Sequence, residues 1–201
     1  MVGNFKEKNN QPRYLIKNKD IEAEIISTGA AIRRLCYKGV DVVLGFEDNF
    51  SYKDNSLNFG VAVGRNANRI ENSCFYIDNV RYDLTPNDGK HNLHGGVISF
   101  SRKEWEIEVA EDQKSASLTL FSPDMEEGFP GNASIRLTYT LTNENSLLID
   151  YRGICDKTTV MNLTNHSYFN LNGHTGGDVL SHMLTLNCDK YTPIRNHITT
   201  G

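Results

Sequence analysis

Regular alternation of apolar and polar residues is the feature that most constrains the fold of this chain. It runs through residues 21–25, 105–109, 117–120 and 135–141. Successive side chains of a β-strand point to opposite faces, so alternation buries one set of side chains and leaves the other in water. No segment of comparable strength keeps the helical period. The sequence therefore predicts an all-β protein built from many short antiparallel strands.

Shorter apolar segments add further strands to this prediction. They lie at residues 32–37, 147–154 and 183–187. A tight hairpin is predicted at residues 75–82, where Asp78 and Asn79 separate two apolar-rich segments. Asp and Asn tolerate the left-handed backbone conformation that a two-residue hairpin turn requires.

Charge and hydropathy exclude several classes of protein. The 201 residues include 21 Lys and Arg against 25 Asp and Glu, a net charge of −4. Such a balance provides no basic field for nucleic acid or for an anionic membrane, so neither partner is expected. No apolar run approaches the roughly 18 residues that span a bilayer. Residues 1–10 are polar and lack the apolar core of a signal peptide. A cytoplasmic protein is expected.

The cysteines fit the same compartment. Cys36, Cys74, Cys155 and Cys188 are widely and unevenly spaced, and no C-x-x-C pair occurs. A zinc ribbon or a dithiol redox motif is therefore excluded, and reduced thiols are expected.

Two long irregular segments, residues 47–69 and 85–104, separate the predicted strands. Both are rich in Asn, Gly, Ser and Asp. Long loops inside a compact β domain usually carry function, so candidate site residues are expected here. No internal repeat or linker-like composition divides the chain, which favours a single domain.

The first candidate cluster is G-R-N-A-N-R-I at residues 64–70. It places Arg65, Asn66, Asn68 and Arg69 where an apolar segment meets a loop. Arg offers a rigid fork of donors, and Asn offers both a donor and an acceptor. This combination suits the hydroxyl groups of a sugar. A surface turn containing a salt bridge is the alternative on residue types alone.

The second cluster is L-H-G-G at residues 93–96. Two glycines permit backbone conformations closed to other residues, so His94 is expected at a bend where a ligand can approach closely. His91 and His94 are three residues apart. However, no cysteine and no acidic third ligand stands at a suitable spacing, so a metal site is disfavoured.

The third cluster, residues 162–171, contains His166 among Asn, Ser and Tyr side chains. An imidazole with an ordinary pKa near 6.5 can give or take a proton at neutral pH. Ser167 is its neighbour, but adjacent residues of a strand point to opposite faces, so a serine–histidine hydrolase pair is not expected. A structural histidine is the alternative. In a separate, turn-rich stretch, Glu126 and Glu127 are interpreted as solvated charges rather than as an acid–base pair.

Taken in order, these motifs resemble the aldose 1-epimerase (galactose mutarotase) family. The resemblance extends over nearly the whole chain and rests on residues 41–46, 59–60, 64–70, 93–96, 127–132, 165–171 and 189–193. It implies an antiparallel β-supersandwich (galactose mutarotase-like) and an isomerase that interconverts the α and β anomers of hexoses such as galactose and glucose. It implies no cofactor, no metal and no partner beyond a small-molecule hexose.

The resemblance also implies roles for individual residues. His166 would be the general acid that protonates the ring oxygen of the sugar, and His94 would bind the sugar and polarise the same oxygen. Asn68 and Arg69 would hold sugar hydroxyls, and Tyr168 would line the pocket.

Two departures from the family pattern carry further expectations. Ser73 stands where the family has a glycine, which costs turn freedom. The family's catalytic glutamate and a substrate-binding aspartate lie downstream of the His166 motif, at positions with no counterpart in residues 1–201. The chain is therefore expected to be the N-terminal part of a single mutarotase-like β-sandwich domain, incomplete at its C-terminal end.

Alternatives to a complete epimerase site stay open at this point. One is a truncated paralogue that binds carbohydrate without turning it over. Another is a hexose-6-phosphate 1-epimerase, which should carry additional basic residues for the phosphate. The preferred hexose and the oligomeric state are left open.

Overall fold

The structure, a computed structural model, describes residues 12–200 and consists mainly of short strands. In chain order the strands are β1 (Arg13–Lys17), β2 (Ile21–Ile26), β3 (Ile32–Tyr37), β4 (Val40–Asp41), β5 (Ala62–Val63), β6 (Arg69–Ile70), β7 (Cys74–Ile77), β8 (Val80–Asp83), β9 (Asn92–Leu93), β10 (Glu106–Val109), β11 (Ser115–Ser122), β12 (Ala133–Leu141), β13 (Leu147–Cys155), β14 (Thr164–Asn165), β15 (Ile194–Arg195) and β16 (Ile198–Thr199). Within residues 12–200, helical structure is limited to three short 3₁₀ segments, Phe50–Asp54, Glu71–Ser73 and Phe100–Arg102. The predicted all-β class is confirmed.

Two antiparallel sheets form the body of the molecule. The first has the strand order β1-β2-β3-β4 and the second the order β10-β11-β12-β13. In β2, Ile21, Ala23 and Ile25 are buried and Glu22 is exposed, as the alternation predicts. In β12, Ile135 and Leu137 are buried and Arg136 is exposed. Each of these two strands thus turns apolar side chains inward and polar side chains to solvent.

The two inward faces share one hydrophobic core. Ile16 and Ile25 of the first sheet belong to the same buried cluster as Leu118 and Leu137 of the second. The hydroxyl group of Tyr139, buried in this cluster, donates a hydrogen bond to the carbonyl oxygen of Ala30 at 2.8 Å. Because a buried hydroxyl without a partner is costly, this bond fixes the position of β12 against the loop between β2 and β3.

The predicted hairpin is confirmed by β7 and β8. Phe75 lies opposite Tyr82 and Ile77 opposite Val80 in an antiparallel register. Asp78 and Asn79, at the turn, have φ values of 49° and 63°. Both central residues are therefore left-handed, which matches the twist of the flanking strands. Ser73, which the resemblance sets in the place of a glycine, is also left-handed, with φ 48°.

The strand predicted at residues 183–187 is wrong. These residues adopt no regular structure, and Met183 and Leu184 are 95% and 82% exposed. A strand needs a neighbour to satisfy its backbone groups, and within residues 12–200 none is paired with this segment. The apolar pattern alone could not supply that neighbour.

All four cysteines lie in the described part of the chain, and each is a free thiol. Within residues 12–200 no helix has the length and apolarity needed to cross a bilayer. The polar start of the chain, residues 1–10, on which the expectation of no signal peptide rests, lies outside the described residues.

Candidate functional site

Three of the sequence motifs meet beside the sandwich because residues 62–70 pair on both sides. β5 pairs with β14, and the backbone of Ala67 donates a hydrogen bond to the carbonyl oxygen of Asn162 at 2.7 Å. Further along, β6 pairs with β9, with Arg69 opposite Leu93. The segment before His94 and the segment before His166 are thus held by one continuous stretch of backbone.

His94 and His166 are in direct contact as a result. Their ring centroids are 5.2 Å apart and their planes are perpendicular. The ring of Tyr168 lies 5.0 Å from that of His166 and 5.5 Å from that of Phe59. Tyr168 is 42% exposed, so its ring forms an open wall beside the histidine pair. The motifs therefore bring together two imidazoles and an aromatic surface, a combination that can bind the apolar face of a sugar and move a proton.

His94 is held in one protonation state by its surroundings. The backbone N–H of Asn68 donates to Nδ1 of His94 at 3.1 Å. Since Nδ1 accepts this bond, the proton of the neutral ring resides on Nε2, which becomes a hydrogen-bond donor. Burial, reinforced by the charges of His166 and Arg69, lowers the pKa of His94 to about 4. At neutral pH the residue is thus a neutral donor of fixed tautomer.

Arg69 is oriented by an acidic residue on the neighbouring loop. Its Nε donates to Oδ2 of Asp88 at 2.6 Å, and this hydrogen bond lowers the pKa of the Asp88 carboxyl group. The described contacts of Arg69 within residues 12–200 leave its two Nη groups for a ligand. Asn68 is exposed beside it, with a left-handed φ of 65°. These two residues are the ones expected to hold sugar hydroxyls.

Arg65 does not join them, although the sequence suggested it as an equivalent donor. Its side chain is buried and donates to Ser122 Oγ and to the carbonyl oxygens of Ser122, Pro123, Pro130 and Gly131, at 2.8–3.0 Å. Arg65 therefore holds the loop at residues 122–131 against the sandwich. Burial lowers its pKa, but a guanidinium stays charged in proteins.

Glu126 and Glu127 are also structural, so their interpretation as solvated charges is wrong. Glu126 forms an ion pair with Lys103 and accepts a hydrogen bond from Ser122 Oγ at 2.5 Å. Oε1 of Glu127 accepts the backbone N–H of Ile98 at 2.7 Å. Both carboxylates thus help to fix loops around the site, Glu126 through Lys103 and Ser122 and Glu127 through its Oε1.

The structure also bears on two chemical alternatives. Ser167 Oγ is buried and has no hydrogen-bond partner within residues 12–200, so it does not pair with His166. His91 Nδ1 accepts the backbone N–H of Asn72 at 3.1 Å, whereas His94 Nδ1 accepts that of Asn68. The two histidines of the H-x-x-H sequence therefore support different loops. Across residues 12–200, no three His, Cys, Asp or Glu side chains converge as metal ligands would.

Sequence reasoning missed two polar residues that organise the site, Asn87 and Asp88, whereas it named the Asn beside His166 as a neighbour able to orient that ring. Asp88 orients Arg69, and the side chain of Asn87 bonds the loop that carries His94. Asn165, inside the third motif, donates to Gly60 O at 2.9 Å and accepts the backbone N–H of Ser167 at 3.0 Å, and so braces both sides of His166. The T-P-N-D-G sequence at residues 85–89 indicates only a turn, so nothing local to it points to a site.

Comparisons with known proteins agree with the resemblance that the sequence motifs carry. A family model described as aldose 1-epimerase matches residues 12–201. The chain is 45% identical to an aldose 1-epimerase of Haemophilus influenzae over 158 residues, which cover 78% of this chain and 45% of that protein. It is 36% identical to the galactose mutarotase of Homo sapiens over 187 residues, which cover 90% of this chain and 54% of that protein. The chain thus spans about half the length of these curated relatives.

Solved structures extend the agreement to the fold. An aldose epimerase homologue from C. elegans superposes with a TM-score of 0.77 at 34% identity, covering 81% of this chain and 52% of that one. A galactose 1-epimerase from Lactobacillus acidophilus superposes with a TM-score of 0.75 at 28% identity, covering 84% and 52% of the two chains.

Proposed function

The chain belongs to the aldose 1-epimerase family, and from this premise we propose that the whole protein interconverts the α and β anomers of a hexose such as galactose or glucose. The observation that carries the proposal is the contact between His94 and His166, with ring centroids 5.2 Å apart and Arg69 and Tyr168 beside them. We propose His166 as the general acid, His94 as a donor to the ring oxygen, and Asn68, Arg69 and Tyr168 as the sugar-binding residues.

The chemistry requires one proton to enter the sugar and one to leave. His166 donates a proton to the ring oxygen while a base removes the proton of the anomeric hydroxyl, and the bond between C1 and the ring oxygen breaks to give the open-chain aldehyde. Rotation about the C1–C2 bond exposes the other face of the carbonyl group. The ring then recloses as the two proton transfers reverse, which yields the other anomer with no net change in protons.

The fixed tautomer of His94 suits this scheme. A neutral imidazole with its proton on Nε2 can donate a hydrogen bond to the ring oxygen without adding a second positive charge beside a protonated His166. A preorganised hydrogen-bond donor that points at the ring oxygen stabilises the step in which this oxygen takes up a proton. The backbone N–H of Asn68, at 3.1 Å from Nδ1, supports this role because it blocks the other tautomer.

The base lies outside the described residues in this proposal. Glu126 is committed to Lys103 and Ser122, and Oε1 of Glu127 accepts the N–H of Ile98. We therefore assign the described part of the chain to the acid side of the site, as the N-terminal part of one β-sandwich domain, and the base to the remainder of the whole protein.

Polarimetry on the whole protein tests the proposal. Freshly dissolved α-galactose and, separately, β-galactose should reach the same equilibrium rotation, each faster with protein than in buffer. Calorimetric titration with galactose distinguishes the non-catalytic alternative, which predicts binding without acceleration. Rates equal to those in buffer for both anomers, of galactose and of glucose, would contradict the proposed activity.

One observation favours a second candidate, a hexose 6-phosphate as substrate. A cavity of about 570 Å³ adjoins His94, and Arg102 lies in its wall with Ser56, Asn58 and Ser99. A guanidinium among hydroxyl groups and an amide suits a phosphate. Comparison of galactose with galactose 6-phosphate decides between the two: a kcat/KM at least tenfold higher for the phosphate, lost in Arg102→Gln, would establish the second candidate.

A further inference from the structure

The loop that presents His94 adopts a backbone conformation that needs external support. His94, Gly95 and Gly96 have φ values of 56°, 89° and 113°. Three consecutive left-handed residues are unusual, and His94 is not a glycine, so this conformation costs about 1–2 kcal/mol relative to the right-handed region. Such a conformation persists only where its surroundings determine it.

The side chain of Asn87 supplies that support from one side. Its Oδ1 accepts the backbone N–H of Leu93 at 2.6 Å, and its Nδ2 donates to the carbonyl oxygens of Leu93 at 2.9 Å and Gly96 at 3.0 Å. The amide therefore spans the loop and contacts the backbone immediately before and after the His94–Gly95 pair. No other side chain among residues 12–200 bonds this loop at both ends.

The chemistry of the Asn87 amide argues against a direct role in sugar binding. A side-chain amide has two N–H donors, and both are used by the loop carbonyls. Although Asn87 is an exposed residue that adjoins the cavity beside His94, its donors are turned toward the protein. What it offers the site is the shape of the loop.

The exit of the loop is held independently by Glu127. Its Oε1 accepts the N–H of Ile98 at 2.7 Å, and a Cβ atom added to Gly96 would lie 2.3 Å from its Oε2. Gly95 is equally confined, since a Cβ atom there would lie 2.0 Å from Gly64 O. The loop is thus closely packed on one side and bonded by Asn87 on the other, which leaves His94 little freedom to turn.

We propose that Asn87 is a positioning residue, whose side-chain amide fixes the left-handed loop at residues 93–96 and thereby keeps the Nδ1 of His94 on the N–H of Asn68 and its Nε2–H directed at the substrate. For the identity of the substrate the inference rests on the proposed function. The orientation of His94 is a property of the fold and can be measured without turnover.

The first measurement is the tautomer of His94, by ¹⁵N NMR of the histidine-labelled whole protein at neutral pH. In the unsubstituted protein His94 should be the Nε2–H tautomer alone. Asn87→Ala should give averaged tautomers, with the Nδ1–H form populated to at least a fifth. Asn87→Ser, which keeps a hydroxyl acceptor for Leu93 N–H but lacks the two N–H donors, should show a smaller change in the same direction and covers the case in which the alanine variant does not fold.

Asn18→Ala is the matched control. Asn18 bonds the turn between β1 and β2 with a similar set of contacts, to Thr142 O, Asn145, and the N–H groups of Asp20 and Ile21. It should reduce stability without altering the His94 tautomer. A His94 spectrum in the folded Asn87 variants that matches those of the control and the unsubstituted protein would overturn the proposal.

Kinetics then separate this proposal from the proposed function. If the protein is a mutarotase, Asn87→Ala should lower kcat at least tenfold and change KM less than threefold, because the donor to the ring oxygen is displaced while the sugar-binding residues remain. An altered tautomer in a protein without mutarotase activity would support the positioning role and contradict the activity. An unaltered tautomer in a protein with mutarotase activity would support the activity and contradict the positioning role.

Discussion

The ring of His94 stands edge-on to the ring of His166, with centroids 5.2 Å apart and planes at 90°. The two residues are 72 positions apart in the sequence, and their contact depends on a short stretch of backbone that pairs with both of their segments. The ring of His94 is a neutral donor of fixed tautomer, and His166 is the proposed general acid. The two rings therefore have different roles, and each role can be tested by its own measurement.

The depressed pKa of His94 predicts a specific pH dependence of stability. Folded His94 stays neutral down to about pH 4, whereas a histidine in the unfolded chain titrates near 6.5. Between these values the unfolded state holds the additional proton, so stability falls as the pH falls. The stability that neutral His94 contributes is complete above pH 6.5 and is lost as the pH falls to about 4. His94→Asn should flatten the urea-unfolding free energy against pH across this window, since Asn cannot be charged and tolerates a left-handed backbone.

His91→Asn is the control for that titration. His91 also accepts a backbone N–H at its Nδ1, from Asn72, and lies three residues away. His94→Asn should flatten the slope more than His91→Asn does, because burial lowers the pKa of His94. Equal slopes for His94→Asn and the unsubstituted protein would show that His94 is not held neutral by the fold.

Arg65 should be more important for stability than the exposed Arg152. Arg65→Lys retains the charge but cannot reach the five acceptors on Ser122, Pro123, Pro130 and Gly131. Buried acceptors left unpaired should lower the free energy of unfolding by about 3 kcal/mol. Arg152→Lys, at a side chain 79% exposed, should change it by less than about 0.5 kcal/mol. Urea denaturation of the whole protein measures both, and similar values for the two variants would contradict the structural role.

Two glycines with positive φ should respond differently to alanine. Gly89→Ala meets no atom within 4 Å and should cost only the left-handed strain, about 1 kcal/mol. Gly95→Ala would bring a Cβ atom to 2.0 Å from Gly64 O. It should cost at least about 2 kcal/mol more and reduce turnover, because the loop carrying His94 must move. Thermal unfolding and polarimetry on both variants test this, and equal losses in the pair would show that the loop has room to adjust.

Local pattern accounts for the sandwich but only in part for the site. Alternation locates β2, β11 and β12, because one buried face per strand is a property of the strand itself. The two-residue strands β5, β6, β9 and β14 carry no such pattern and exist because distant segments pair. Residues 183–187 have the composition of a strand and lack a partner among residues 12–200, so propensity alone misassigns them.

For the site residues, the sequence identifies the type of side chain but not the direction in which that side chain points. Arg65 and Arg69 are four residues apart in one motif, yet the first points into the protein and the second bonds Asp88 at the site. Asn87 and Asp88 lie in a turn whose sequence predicts only a turn. Their contribution depends on the loop that packs over them, which no local reading of the chain reveals.

The mutarotation rate of the whole protein carrying His166→Asn tests the central claim most directly. Asn keeps hydrogen-bonding capacity but cannot donate a proton as an acid, so His166→Asn should reduce the polarimetric rate with α-galactose by at least a hundredfold, while His91→Asn stays within twofold of the unsubstituted protein. Circular dichroism should show the same fold in all three. A His166→Asn variant that is folded and retains activity within a few-fold of the unsubstituted protein would contradict the account, because the proton would then come from elsewhere.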